Sequence, residues 1–245
     1  MKIVFALLLL ALGDGARAAN VSMAFGDNLP PYIMMRSHSG IEIDVVREAL
    51  AYRGHVLLPL YVPMGRIPLT FIGGQVDAIM LDVGEDMGPH GGHYGKPPVL
   101  YDNYLYTLKR RHLRIKQPAD LKGLNVMAFV GAAKRYPDCL QALSHTPDYS
   151  ERNNQAVQPL LLALGRYDAV LSDRSIFQYY MLQQQKADPR FVAPELDEHA
   201  LAPADTHAYR PVFRDPAIRD DFNAGLDQLR KSGRYLAIYK QYLKR

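Results

Sequence analysis

The sequence predicts an α/β protein of two lobes, each a mostly parallel sheet flanked by helices. Three observations carry this reading. Stretches that read as strands alternate with stretches of helical periodicity, the pattern of a parallel sheet with crossover helices. One local unit occurs twice: Pro68-Leu-Thr-Phe-Ile-Gly-Gly74-Gln-Val-Asp77-Ala78-Ile-Met80 and Pro159-Leu-Leu-Leu-Ala-Leu-Gly165-Arg-Tyr-Asp168-Ala169-Val-Leu171 share Pro, Leu, Gly, Asp and Ala in register. Each copy reads as a helix stopped by glycine, a short buried strand, and then a carboxylate, Asp82 or Asp173. Finally, the 245 residues less an 18-residue leader leave enough chain for two lobes of about 100 residues each.

The leader is an export signal by pattern. Lys2 gives the basic n-region, Ile3 to Leu12 the apolar h-region, and Ala16-Arg17-Ala18 a small-x-small cleavage site. The apolar run is too short to span a bilayer, and no Cys follows it to carry a lipid anchor. Residues 1–18 are therefore expected to be a signal peptide and the mature protein to be periplasmic. No later stretch is apolar enough for a membrane helix. Loss of Lys2, Arg17 and Asp14 with the leader takes the net charge from +4 to +3. The surplus is spread along the chain, and Lys109-Arg110-Arg111-His112-Leu113-Arg114 is short and carries no interleaved aromatics, so nucleic acid is not an expected partner. Cys139 is the only cysteine, which excludes an internal disulfide. It reads as a small apolar residue rather than a nucleophile.

In chain order, Val21 to Phe25 is the first strand, and Gly26 to Tyr32 is a turn-rich loop behind it. Ile41, Val45, Val46, Ala49 and Leu50 have helical spacing, with Gly54 as the stop. His55 to Val62 is a strand, and the first repeat unit follows. Pro97-Pro98 breaks the chain, and Asn103 to Lys109 is a strand leading out of the first lobe. Gln117 to Gly123 is a turn or short helix, and Leu124 to Val130 a strand ending at Gly131. After a polar stretch, Thr146 to Gln155, comes the second unit and then a helix over Ser175 to Gln185. Phe191-Val-Ala begins the return path, and Ala200 to Thr206 is a second crossing. Tyr209 to Phe213 is a strand. Asp215-Pro216 is an N-cap with proline at N1, opening a helix with Ile218, Phe222, Leu226 and Leu229 on one face and Gly233 as its stop. Tyr235 to Leu243 is a last short helix. The expected lobes are 19–107 plus 207–245, and 108–206, joined by two hinge strands; such a body can close on a ligand.

At this point the residues resemble a known family, the bacterial extracytoplasmic solute-binding proteins of polar amino-acid type (family 3 solute-binding proteins of ABC transporters). The elements are Leu29-Pro30-Pro31-Tyr32, Gly40-Ile-Glu-Ile-Asp44, Gly74-Gln-Val-Asp77-Ala78, Asp120-Leu-Lys-Gly123, Gly165-Arg-Tyr-Asp168-Ala169 with Asp173, and Phe222-Asn223-Ala-Gly225-Leu with Gly233. Each is weak alone; six in order cover nearly the whole mature chain. The resemblance implies a two-lobed periplasmic-binding-protein-like fold (type II), a small polar solute held between the lobes, and a partner that is an ABC permease or a membrane sensor. It implies a monomer and no cofactor. It also implies that Asp173 takes a ligand ammonium. Two departures stand out. The segment after Leu81 lacks the Thr-x-x-Arg that the family uses for the ligand α-carboxylate, and the lobe-two turn is Gly131-Ala132-Ala133, without a hydroxyl. The carboxylate half of the site is therefore missing or rebuilt, with Arg66 or Arg36 as substitutes.

The candidate ligand-binding residues are Tyr32, Arg66, Asp82, Gly131 and Asp173. Asp173 follows a buried strand, where it either binds a ligand cation or caps the next helix. Asp82 has the same position in the first unit, as a ligand contact or as a solvated loop residue. Two carboxylates in one cleft repel, which a cationic or amine-bearing ligand relieves. Tyr32 is a candidate to stack on a ligand or sit over a cation, or simply to pack on its loop. Arg66 is an anion binder or a surface arginine. His90-Gly-Gly-His93 lacks the fixed geometry a metal needs, so no metal is expected. The sequence has no Gly-x-Ser-x-Gly elbow, His-Glu-x-x-His helix or phosphate loop. An enzyme is not expected; the alternatives are an orphan binding protein serving a sensor or accessory complex, and a dehydratase with Glu85 or Asp173 as general acid.

Overall fold

The structure, a computed structural model, describes residues 18–200 and 209–244. The expected leader, all but Ala18, and the expected second crossing beyond Ala200 lie outside the described residues, as does the 206/207 boundary.

Among the described residues, ten strands form two five-stranded sheets. The first contains β1 (Asn20–Phe25), β2 (Val56–Tyr61), β3 (Ala78–Ile79), β4 (His93–Tyr94) and β10 (Val212–Phe213), in the order β2-β1-β3-β10-β4. The second contains β5 (Asn103–Leu108), β6 (Val126–Phe129), β7 (Tyr149–Arg152), β8 (Ala169–Asp173) and β9 (Leu196–Ala200), in the order β7-β6-β8-β5-β9. The two sheets share one plan. β1 pairs parallel with β2 and β3, as β6 does with β7 and β8. In each, one strand then runs antiparallel to its two neighbours: β10 against β3 and β4, β5 against β8 and β9. β5 lies wholly in the second sheet, so the first crossing precedes Asn103 rather than falling at residue 107. β9 belongs to the second sheet and β10 to the first.

The helices are α1 (Ile41–Ala51), α2 (Ile67–Ile72), α3 (Ala132–Arg135), α4 (Pro137–Ser144), α5 (Gln158–Ala163), α6 (Arg174–Ala187), α7 (Pro216–Lys231) and α8 (Arg234–Leu243). Asp215 caps α7 by accepting the Ala217 amide hydrogen at 2.8 Å, with Pro216 at N1. On α1, Ile43, Val46 and Leu50 are fully buried, and on α7 Phe222 and Leu226; both helices pack into the first lobe's core. Gly225 permits that packing, since a Cβ there would stand 1.9 Å from the Ala49 carbonyl oxygen. The second lobe has a core on each face of its sheet, one around Leu105, Val126 and Leu171, the other around Met127, Val170 and Phe177.

The repeated unit has one structural task, performed twice. In the first lobe the Asp77 carboxylate accepts the Ser22 amide hydrogen at 2.8 Å, and the Asp77 amide donates to the Ser22 carbonyl at 3.0 Å. In the second, Asp168 accepts from the Asn125 amide at 2.9 Å and donates its own to the Asn125 carbonyl at 2.8 Å. Each aspartate thus fixes the register between the entering strand and the start of its parallel neighbour, β1 or β6. Since strands of a parallel sheet end on the same side, this aligns the carboxyl ends where ligands bind.

Candidate functional site

A cavity of about 530 Å³ lies between the two sheets. Its walls come from the carboxyl ends of parallel strands in both lobes: Gly26 to Leu29 after β1, Leu81 after β3, Phe129 to Gly131 at the end of β6, Arg152 and Asn153 at the end of β7, and Asp173 at the end of β8. Ligand pockets have this size and place in open α/β folds.

Of the five residues singled out from sequence, Gly131 and Asp173 line the cavity; Tyr32, Arg66 and Asp82 do not. Asp173 is 2 % exposed, and its carboxylate is heavily engaged. Oδ1 accepts the amide hydrogens of Ser175 at 2.9 Å and Ile176 at 3.0 Å, capping α6. Oδ2 accepts that of Asp102 at 2.8 Å, from the segment just ahead of β5. Burial pushes its pKa up to about 6, with the Ile176 and Asp102 amides and the Tyr32 hydroxyl working the other way. Tyr32 is 1 % exposed and stands behind the cavity wall, its ring centroid 4.4 Å from that of Tyr101. Asp82 structures its own loop: Oδ1 accepts from the Gly84 amide at 2.9 Å and Oδ2 from the Tyr94 hydroxyl at 3.0 Å. Arg66 and Arg36 are both exposed and away from the cavity lining. The Asp82–Asp173 carboxylate pair expected in one cleft is therefore not what faces this cavity.

The Gly131 turn carries an internal occupant. The Glu151 carboxylate, on β7, accepts the Gly131 amide hydrogen at 2.7 Å and that of Ala133 at 2.9 Å, and also the Tyr149 hydroxyl at 2.8 Å. Partial burial works to raise the Glu151 pKa, but these amides and the hydroxyl outweigh it and hold the group below the usual carboxylate range. An anion is already seated where this turn offers its N–H groups.

Sequence reasoning passed over the most distinctive residue of the cavity, Glu42, in the first turn of α1. It is 2 % exposed and lines the cavity. The chain sets it there through Gly40, whose positive φ (127°) and missing Cβ let the loop close on the helix start: a Cβ would meet the Tyr32 carbonyl oxygen at 2.3 Å. The Ile41 amide then donates to the Pro31 carbonyl at 2.8 Å and the Glu42 amide to that of Tyr32 at 3.1 Å. Glu42 Oε2 accepts the Tyr101 hydroxyl hydrogen at 3.0 Å, while the buried Oε1 has no partner among the described residues. Burial raises its pKa to about 7, and the Tyr101 hydrogen bond opposes this only in part. The signal was present in Gly40-Ile-Glu-Ile-Asp44: a Glu between two apolar residues in the first turn of a buried helix.

The basic groups on the lining are Lys134, Arg135 and Arg152, all from the second lobe. Arg135 Nη1 donates to the Tyr209 hydroxyl at 2.7 Å, and its guanidinium stands over the Tyr209 ring at 4.8 Å. Tyr209 in turn packs on Tyr101, with centroids 4.6 Å apart. Glu42, Tyr101, Tyr209 and Arg135 thus form one connected chain from the first lobe to the second. Among the described residues no group of three or more His, Cys, Asp or Glu side chains is arranged to hold a metal ion. Cys139 is half-buried against the second lobe's core; burial and the Asp138 charge raise its thiol pKa, which favours the protonated form.

No protein-family model matches the chain. No curated protein matches it either. Solved structures do. The L-cystine solute receptor of Neisseria gonorrhoeae, in its unliganded open conformation, is similar with a TM-score of 0.66 at 16% identity, over 94% of this chain and 95% of that one. An ancestral cationic amino acid solute binding protein (AncCDT-1) is similar at 0.66 and 19%, over 92% and 96%. A histidine kinase sensor domain with similarity to periplasmic binding proteins is similar at 0.61 and 20%, over 95% and 98%. With two sheets of the same mixed plan and a cavity between them, the chain has the two-lobed periplasmic-binding-protein-like fold.

Proposed function

We propose that the protein is an exported solute-binding protein of the polar amino-acid type, which captures a small polar, amine-bearing solute by closing its two lobes. The observation that carries this reading is the cavity formed by strand carboxyl ends from both sheets, with Glu42 and Asp173 at its wall. Strand ends of both sheets line the one cavity, which suits rigid-body closure around a ligand. The similar cystine receptor and cationic amino acid binding protein support solute capture. Delivery to an ABC-type permease from the periplasm fits the leader pattern of residues 1–18. Presentation of the solute to a membrane sensor is the second reading, favoured by the similar kinase sensor domain.

The test is a thermal-shift screen of the mature protein against amino acids, polyamines, other amines and organic acids, followed by mass spectrometry of the recovered solute. Binding to the native state raises the melting temperature by mass action. A solute that stabilises the protein and is recovered unchanged supports capture without chemistry. A converted solute overturns it in favour of an enzyme, and a library with no stabilising member overturns solute capture.

A further inference from the structure

Glu42 presents a problem that its own lobe does not solve. A buried carboxylate oxygen without a donor is costly, and native structures leave few such atoms. Oε1 is such an atom, and Glu42 lines the cavity. None of the hydroxyls around it is bonded to Oε1. Tyr101 already gives its hydroxyl hydrogen to Oε2. Tyr209 accepts from Arg135 and feels the Glu42 charge without bonding it. Tyr239 on α8 shares its hydroxyl with Tyr235 at 3.2 Å. Tyr32 lies against Tyr101 and Asp173. Asp173, across the cavity wall, is a second acceptor. Among the described residues no cation stands within ion-pairing distance of Glu42. What the site lacks is a compact, positively charged donor.

We infer that Glu42 Oε1 is the ammonium-binding atom of the cavity, so that the ligand class is a small molecule carrying a protonated amine. Asp173, with three amide donors of its own, holds the wall rather than the ligand's charge. The Glu151 carboxylate on the Gly131 turn fits this assignment, because it occupies amides that an anionic ligand group would otherwise take. Any anionic group of the ligand then faces Lys134 and Arg152 on the second lobe's rim. A consequence follows for acidity. Only ionised Glu42 pairs with an ammonium, and burial places its titration near neutrality. Acidification then weakens capture of an amine that is itself fully charged throughout.

This assignment rests on the solute-capture reading, and its test separates the two. Matched probes are used: putrescine against 1,4-butanediol, 4-aminobutanoate against 4-hydroxybutanoate, and L-arginine against L-citrulline. Each is tested by thermal shift and titration calorimetry on the mature wild-type protein and on Glu42→Gln, at about pH 6 and about pH 8. The expected result is that the cationic member of a pair binds and its neutral partner does not. Its affinity falls about tenfold between the higher and the lower pH and at least about tenfold in Glu42→Gln. Equal binding of both members, or a cation preference that survives in Glu42→Gln, overturns the Glu42 assignment and leaves solute capture standing. If no probe binds and no solute in the wider screen does either, both fall. Should Glu42→Gln fail to fold, the wild-type pH series decides: a cation preference indifferent to pH overturns the assignment.

Discussion

The Glu151 carboxylate sits on the Gly131 amide at 2.7 Å and bridges to the Ala133 amide at 2.9 Å, so one side chain of β7 closes the turn that begins α3. Two backbone donors are satisfied by an ionised acceptor, an interaction stronger than a neutral hydrogen bond. Glu151→Ala orphans both. We expect a loss of about 1–3 kcal/mol in urea unfolding, with faster hydrogen exchange at Gly131 and Ala133 and little change in the first lobe. Unchanged exchange at these two amides contradicts the bridge.

Asp173 makes a prediction of the same form for the opposite wall. Its two oxygens take three amide hydrogens, from Ser175, Ile176 and Asp102. Two of these cap α6 and the third ties the helix start to the segment before β5. Asp173→Ala is expected to lower stability by about 2 kcal/mol or more, the sum of a lost cap and an orphaned amide. A group whose sole task is to meet a ligand leaves the unliganded protein's stability unchanged on removal, so chemical denaturation without ligand tells the two roles apart.

The sequence made the architecture legible where side chains repeat a physical demand. The α1 stripe of Ile43, Val46 and Leu50, the Asp215-Pro216 start of α7 and the Gly-x-x-Asp-Ala units all meet the structure within a residue or two. The edge strands of the second sheet were not legible. β7 is Tyr-Ser-Glu-Arg inside a stretch read as polar, and β9 is Leu-Asp-Glu-His-Ala on a return path. Edge strands bury little and carry charge to discourage pairing with other chains, so they lack the alternating signature. The site was half legible. The ends of buried strands pointed to Gly131 and Asp173, but Arg66 and Asp82 share that sequence neighbourhood without reaching the cavity. Glu42 is set by a loop closing through Gly40 onto Tyr32, a tertiary contact with no sequence periodicity.

Gly225 tests the packing of the first lobe. A Cβ on it would lie 1.9 Å from the Ala49 carbonyl oxygen, inside the contact between α1 and α7. The helices must separate for Gly225→Ala to fold. Overpacking of this kind costs about 1–3 kcal/mol, more than alanine's gain in helix propensity of up to about 1 kcal/mol. Lower stability is expected, measured as the urea midpoint; a stabilised variant contradicts the close approach.

Glu42 and Tyr101 together predict how the unliganded protein responds to pH. The folded-state pKa of Glu42 is raised from 4.5 to about 7, mainly by burial. Its neutral form is therefore the one the fold favours. The associated stability is fully present below pH 4.5 and is lost as pH rises through about 7, a contribution on the order of 3 kcal/mol. Glu42→Gln removes the ionisation, so its stability should lack this decline and exceed that of the wild type at alkaline pH. Tyr101→Phe goes further. The Tyr101 hydroxyl is the one bonded group that stabilises the ionised Glu42, and its hydrogen bond holds the pKa below what burial alone would impose. Without it both carboxylate oxygens lack donors, so the folded-state pKa should rise above about 7 and the pH midpoint of the decline should move upward with it. Urea unfolding of the three proteins across the pH range measures this directly. A midpoint that stays in place in Tyr101→Phe breaks the link between hydroxyl and carboxyl; one that moves down reverses its sign.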